Sequence, residues 1–219
     1  GGLVSAGAVT GSQIVAFDVD TSKSAAAVSL GGLAAGSAGE LAEASDTIVL
    51  APKPQDMREA LTSIKGGLRR EALVISIAAG VSVGFIQDTL GADTRVVRAM
   101  PNTPAMVGAG ATAFAKSESC TADDAKTARA IFEAIGIAEE VPERLLDAVP
   151  ALSGSGPAYY FAFVEAQTRA GVALGLPEAQ AARLAGQTLY GAGRLLHESG
   201  EAAGTLRERV TSKGGTTAA

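Results

Sequence analysis

The sequence predicts an α/β fold: a Rossmann-like, doubly wound and mainly parallel sheet, followed by an all-helical C-terminal domain. Over the first two-thirds of the 219 residues, apolar runs rich in β-branched side chains alternate with helical segments. This alternation is typical of a parallel sheet that helices cover on both faces. Beyond residue 142 the strand signal disappears and only helical segments follow. We therefore expect a sheet domain at residues 1–142 and a helical domain at residues 143–219.

The predicted strands are short apolar runs bounded by turn residues. They cover residues 13–19, 46–52, 72–79, 94–100, 111–116 and 137–141, with a weak candidate at residues 31–37. The most apolar run of the chain continues to residue 86. A membrane span needs roughly 20 residues, so this shorter run indicates a buried strand.

The predicted helices follow from capping residues, first-turn prolines and terminal glycines. Pro54 begins one helix, and Thr121 caps another that ends at Gly136. The helical segments are residues 21–30, 39–45, 54–68 and 121–136, then 143–156, 157–175, 177–199 and 201–210. Residues 1–7 are expected to be the tail of a further helix.

Charge and composition restrict the partners. A net charge of −5 argues against nucleic acid or an anionic membrane as the main partner. With Cys120 as the one cysteine and His197 as the one histidine, we predict no internal disulfide and no metal site. No charged segment followed by an apolar one opens the chain, so we see no signal peptide and expect a cytoplasmic protein.

A Rossmann-like domain usually binds a nucleotide at the carboxyl ends of its strands. The glycine cluster at residues 31–36 follows a helix and does not open one, so it indicates a turn. We therefore expect the first strand and its glycine-rich turn to lie upstream of residue 1. Asp18 then ends the second strand, where a carboxylate can accept hydrogen bonds from the adenosine ribose. An ordinary turn acid is the alternative.

Six segments occur in an order and spacing that resemble one enzyme family. They are LAPKPQD, ISIAAGVS, VVRAMPNTPAMVGAGAT, LSGSGPAYYF, GVALGLP and VTSKGGTTAA. The chain resembles pyrroline-5-carboxylate reductase from the predicted second strand onward. The resemblance implies further helices after the last segment. Pro52 departs from the family pattern, since a small apolar residue usually stands there.

The resemblance implies the last step of proline biosynthesis: hydride transfer from NADPH or NADH to 1-pyrroline-5-carboxylate, which gives L-proline. It also implies a homodimer or larger homo-oligomer whose helical domains interlock. Small residues in the turns after three strands would let the cofactor approach the backbone. The cofactor-binding candidates are Asp18, Ala51, Lys53, Ala78, Ala79, Gly80, Met100, Pro101 and Asn102. Tight turns made for packing alone, and a solvated Lys53, are the alternatives.

The segment TSKGGTT supplies the substrate candidates. Glycines let the backbone approach a ligand, and the free N–H groups of a helix start attract an anion such as the substrate carboxylate. The predicted substrate-binding residues are Ser212, Gly214, Gly215, Thr216 and Thr217. The resemblance implies that Thr217 is catalytic, with its hydroxyl at the imine nitrogen. The alternative is an ordinary capped helix start.

Two other functions remain open at this point. The chain could be a non-catalytic binding or assembly module, because a fold does not fix a function. It could also be a dehydrogenase of the 3-hydroxyacid type. Those enzymes generally need a helical-domain lysine or an acid–base pair, and Lys213 is the one lysine after residue 142. An imine nitrogen is already basic and needs no such strong base.

Overall fold

The computed structural model describes residues 1–211 and divides the chain into two compact units, Gly1–Pro157 and Ala158–Ala219. Residues 143–157 pack with the first unit. The boundary predicted at residue 142 remains a prediction about domain organisation.

The first unit contains seven strands and six helices among its described residues. The strands are β1 Val15–Ala16, β2 Leu33–Ala34, β3 Thr47–Leu50, β4 Leu73–Ser76, β5 Arg95–Met100, β6 Gly110–Lys116 and β7 Gly136–Glu140. The helices are α1 Gly2–Ser5, α2 Thr21–Ser29, α3 Ala38–Glu43, α4 Met57–Lys65, α5 Val83–Leu90 and α6 Ala122–Glu133.

The strands form a two-stranded sheet, β1–β2, and a five-stranded sheet in the order β3-β4-β5-β6-β7. All neighbours are parallel except β5 and β6, which are antiparallel. The mainly parallel sheet of the prediction is therefore confirmed. Because β3, β4 and β5 run in the same direction, the turns that follow them lie at one edge of the larger sheet.

Helices cover both faces of the five-stranded sheet. Ile48, Val74 and Val96 pack in one apolar cluster with buried residues of α3, α4 and α5. Phe114 belongs to a second cluster, on the other face, together with Phe132 of α6. Successive strand residues point to opposite faces, so neighbours such as Val96 and Val97 enter different clusters. This arrangement confirms the doubly wound class.

The prediction of one buried strand across residues 72–86 is wrong. Strand β4 ends at Ser76, and helix α5 begins at Val83. Gly80 turns the chain with a φ of +74°, and the Ser82 hydroxyl caps the helix by accepting from the Phe85 amide at 3.2 Å. The apolar residues after the turn cover the sheet as a helix instead of extending it. The strand predicted at residues 13–19 is also shorter, since only β1 enters a ladder.

The second unit is helical throughout its described residues, which confirms the predicted all-helical region. Its helices are α7 Gly156–Ala173, which starts at the end of the first unit, α8 Glu178–Ser199 and α9 Ala203–Val210. Ala181 and Ala185 of α8 are buried, whereas many aromatic and aliphatic side chains are exposed. Within residues 1–211, no helix is long and apolar enough to cross a membrane.

Candidate active site

A cavity of about 340 Å³ lies beside the carboxyl end of β1. Phe17, Asp18, Val28 and Gly36 are among the residues that line it. The Asp18 carboxylate accepts a hydrogen bond from the Asp20 amide at 2.9 Å, and the Lys23 ammonium lies 3.8 Å away. The cavity therefore has apolar walls and one charged rim, which suits a molecule with a flat ring and a polar ribose or phosphate.

The first turn of α2 forms part of that rim. The Asp20 carboxylate caps the helix and accepts from the amide and the hydroxyl of Ser22, at 3.0 and 2.6 Å. The hydroxyl bond from Ser22, followed by the amide bond, lowers the pKa of Asp20 below its usual range. The Ser24 hydroxyl accepts from the Asp18 amide at 3.1 Å. The end of β1 and the start of α2 are thus fixed to each other, and Asp20 stays ionised.

The turn after β3 contains Ala51 and Lys53, both exposed. Pro52 lies between them and is half-buried. The Lys53 carbonyl accepts from the Asp56 amide at 2.9 Å and closes a short turn of 3₁₀ helix at Pro54–Asp56. The segment therefore presents Lys53 at the sheet edge just before α4.

The turn after β4 contains Ala78, Ala79 and Gly80. Ala78 is buried, whereas Ala79 and Gly80 are exposed. A side chain at Gly80 would meet no heavy atom within 4 Å, but its positive φ disfavours any other residue. The turn thus combines a constrained backbone with open space beside it. A ligand ring can approach such a surface closely.

The segment after β5 contains Met100, Pro101 and Asn102. The Asn102 amide oxygen accepts from the Ala111 amide at 2.8 Å, and its amide nitrogen donates to the Ser153 carbonyl at 3.0 Å. A Cβ on Gly154 would lie 3.3 Å from the Met100 methyl group. The structure therefore joins two sequence motifs, MPNTP and LSGSG, that are about 50 residues apart and that the sequence had not connected.

The structure brings the turns after β3, β4 and β5 to one edge of the larger sheet, as the sequence predicted. Asp18 follows β1, which belongs to the two-stranded sheet. The remaining candidates, Ser212, Gly214, Gly215, Thr216 and Thr217, lie outside the described residues. Their roles stay predictions.

Sequence reasoning missed a charged group below this edge. Arg98 is buried in β5, and its guanidinium lies 2.6 Å from the Asp147 carboxylate and 3.5 Å from that of Glu143. Glu143 also accepts from the Val83 amide, the first residue of α5, at 2.8 Å. The signal was available, because an arginine between apolar residues in the middle of a strand requires a partner. The ion pairs connect β5, the start of α5 and the segment before α7.

Replacing Arg98 by Met tests the strength of these ion pairs. The side chains of Glu143 and Asp147 are 36% and 73% exposed, so water can hydrate both carboxylates once the cation is gone. We expect the free energy of unfolding to fall by about 1–2 kcal/mol, less than the 3–5 kcal/mol typical of a fully buried pair. Urea unfolding of the full-length protein measures the change.

Lys126→Met is the matched control, because Lys126 pairs with Asp123 at 2.8 Å on the surface of α6. It should leave the unfolding free energy almost unchanged, because water screens an exposed ion pair. A loss of 4 kcal/mol or more in Arg98→Met would show that the carboxylates are shut off from water.

A Rossmann-like sheet with a cavity of about 340 Å³ at a strand end is typical of dinucleotide-dependent oxidoreductases. Residues 1–80 match the family described as NADP oxidoreductase coenzyme F420-dependent, and residues 143–219 match pyrroline-5-carboxylate reductase dimerisation. The pyrroline-5-carboxylate reductase of Escherichia coli (strain K12) is 41% identical over 218 residues, covering 99% of this chain and 81% of the relative. The Synechocystis enzyme is 48% identical over 180 residues, which cover 82% and 67%.

Solved structures give the same result. A pyrroline-5-carboxylate reductase from Coxiella burnetii superposes with a TM-score of 0.92 at 36% identity, covering 99% of this chain and 81% of its own. The Plasmodium falciparum pyrroline carboxylate reductase with NADP bound has a TM-score of 0.87 at 30% identity, covering 99% and 80%. The chain belongs to the pyrroline-5-carboxylate reductase family. Membership confirms the resemblance and favours a reductase over the two alternative functions.

Proposed function

We propose that this protein reduces 1-pyrroline-5-carboxylate to L-proline with NADPH or NADH. Similarity to reductases of this name over 99% of the chain carries the proposal. The match of residues 143–219 to a dimerisation family supports further copies of the chain as partners, and the net charge of −5 argues against nucleic acid and an anionic membrane. A cytoplasmic location is part of the proposal, since the one cysteine calls for no oxidising compartment.

The described residues fit a dinucleotide. The cavity beside β1 falls within the roughly 300–1,000 Å³ of small-ligand sites, and Asp18, which lines it, lies 3.8 Å from the Lys23 ammonium. Asp18 would hold the adenosine ribose, and the turns at Ala51 and Lys53, at 78–80 and at 100–102 would hold the remainder. The bound cofactor supplies the hydride, while the protein supplies position and electrostatics.

The proposed substrate site is the segment at residues 212–217, which the sequence predicts to be a helix start. Backbone N–H groups beside Gly214 and Gly215, with the Ser212 hydroxyl, hold the carboxylate. The Thr217 hydroxyl orients the ring nitrogen and places a proton donor there. Reduction adds a hydride to the imine carbon and a proton to nitrogen, so the C=N double bond becomes a single bond.

Cofactor oxidation by the full-length enzyme tests the function. We expect absorbance loss from NADPH or NADH that depends on 1-pyrroline-5-carboxylate and forms proline stoichiometrically. A 3-hydroxy acid with the oxidised cofactor serves as the substrate control and should give no turnover. Turnover of the hydroxy acid without turnover of the imine would refute the proposal.

Asp18 is expected to influence the choice between NADH and NADPH. A carboxylate accepts from a ribose 2′-hydroxyl and repels a 2′-phosphate, so Asp18 favours NADH weakly while NADPH remains usable. Lys23 offsets part of the repulsion. Asp18→Asn should raise the ratio of kcat/KM for NADPH over NADH by roughly 5- to 150-fold, which corresponds to about 1–3 kcal/mol.

Asp46→Asn is the matched control, since Asp46 pairs with Arg69 at 3.0 Å on the surface before β3. Its cofactor ratio should equal that of the parent enzyme. A parent enzyme that prefers NADPH more than tenfold would show that Asp18 does not govern the choice.

A further inference from the structure

The side chain of Asn102 makes two hydrogen bonds to distant backbone groups. Its amide oxygen accepts from the Ala111 amide at 2.8 Å, and its amide nitrogen donates to the Ser153 carbonyl at 3.0 Å. The two partners fix the orientation of the amide, because a flip would place oxygen against oxygen and N–H against N–H. Asn102 thus spans β6 and the LSGSG segment.

Asn102 does not cap the short turn that follows it, although its position would allow this. It precedes the short 3₁₀ turn Thr103–Val107 as the N-cap residue, a place where asparagine commonly accepts from a nearby amide. No such capping bond is present at this turn. The side chain instead bonds to Ser153, 51 residues away in the sequence. This bonding indicates that Asn102 serves the long-range contact and not the local cap.

The Ser153 carbonyl belongs to an unusual turn. Pro150–Gly154 is one turn of π-helix, closed by a bond of 2.7 Å from the Ser155 amide to the Pro150 carbonyl. Such turns occur mostly as single insertions and often at functional sites. Gly154 also lies against β5, since a Cβ there would be 3.3 Å from the Met100 methyl group. The turn is therefore held to the end of β5 at two points.

We infer that Asn102 is a positioning residue, whose side-chain amide holds the π-helical turn at Ser153 and the start of β6 against the carboxyl end of β5. This inference rests on the proposed function, in which the backbone of residues 100–102 borders the cofactor. Each end of the amide is engaged within the protein. Asn102 thus acts on the reaction by fixing its neighbours and not through its own side chain.

Asn102→Asp removes the donor to Ser153 and keeps an acceptor for Ala111. The introduced carboxylate faces the Ser153 carbonyl, and the two oxygens repel each other. We expect kcat to fall by about 10- to 100-fold, because a small misplacement of two reacting groups slows their reaction by this much. The KM for the cofactor should change by less than about threefold. In the proposed function, cofactor binding is shared among several turns, whereas the alignment of cofactor and substrate depends on the end of β5. The uncharged variant Asn102→Ser should show the same split, with a smaller loss.

Gln87 provides a matched control at the other end of β5. Its amide nitrogen donates to the Thr94 carbonyl at 2.9 Å and to the Ser119 hydroxyl at 3.1 Å. Gln87→Glu therefore removes the same kind of bond by the same chemical change, before β5 begins. We expect its kcat and KM to remain within about twofold of the parent values.

The deciding measurement is amide hydrogen exchange of the full-length enzyme without cofactor. Asn102→Asp should accelerate exchange at residues 154–156, and Gln87→Glu should not. Unchanged exchange with a reduced kcat would overturn the inference, because Asn102 would then contact the cofactor or substrate itself. A kcat within twofold of the parent would overturn it as well. An inactive parent enzyme with accelerated exchange in the variant would refute the proposed function and leave the contact established.

Discussion

Thr217→Ala in the full-length enzyme is expected to lower kcat/KM for 1-pyrroline-5-carboxylate by about 10- to 150-fold. The Thr217 hydroxyl is proposed to meet the imine nitrogen as it gains a proton. Hydrogen bonds to charged groups contribute about 1.5–3 kcal/mol, which corresponds to that range. Steady-state kinetics at saturating cofactor measure the loss, and most of it should appear in kcat because the bond strengthens as the reaction proceeds.

Two further variants separate the hydroxyl from its surroundings. Thr217→Ser keeps the oxygen and should retain most of the activity. Thr62→Ala is the matched control, since the Thr62 hydroxyl donates to the Arg58 carbonyl at 2.8 Å on the exposed face of helix α4. It should leave the kinetics unchanged. Near-normal kinetics for Thr217→Ala, or a proline analogue whose carboxylate binds away from residues 212–217, would contradict the assignment.

Gly136→Ala is expected to reduce the free energy of unfolding by about 3 kcal/mol or more. Gly136 begins β7 opposite Gly110 of β6, with a φ of +153° that other residues rarely adopt. An added Cβ would overlap the backbone of Gly110, so the two strands would have to separate. A strained backbone alone costs about 1–3 kcal/mol, and the lost contacts between strands add to it. Urea unfolding followed by circular dichroism measures the loss.

Gly84→Ala is the control for this substitution. A Cβ there would meet nothing within 4 Å, and Gly84 lies in helix α5 with an ordinary φ. Alanine is the better helix former, so stability should rise by up to about 1 kcal/mol. If both alanine variants were as stable as the parent, the close approach of β6 and β7 would be wrong.

The elements that could be predicted are those whose burial leaves a continuous run of apolar residues in the sequence. The run ALVISIAA, for example, is apolar at every position but one, because strands covered on both faces have no polar side. Helix α5 was not predicted, because its apolar residues follow β4 after a short turn and resemble a continuation of that strand. Gly80 and Ser82 separate the strand from the helix, since a left-handed glycine and an N-cap change the direction of the chain.

The reversal of β6 could have been predicted from loop length. Nine residues separate Met100 from Gly110, and a parallel connection needs a dozen or more, usually with a helix. The contact of Asn102 with Ser153 could not have been predicted in this way. Side-chain periodicity reports only which face of an element is buried. It carries no information about which polar groups meet across 51 residues of chain.

Folding of the helical second unit is expected to depend on the concentration of the enzyme. Among its described residues, Ala181 and Ala185 are buried, while Tyr159, Phe161 and Phe163 are more than half exposed. A unit with so small an interior gains little from folding alone. Residues 143–219 match a dimerisation family, so we expect pairing with a second copy of the chain to bury these side chains. We therefore expect folding and association of this unit to be coupled, so that dilution shifts the equilibrium towards unfolded chains by mass action.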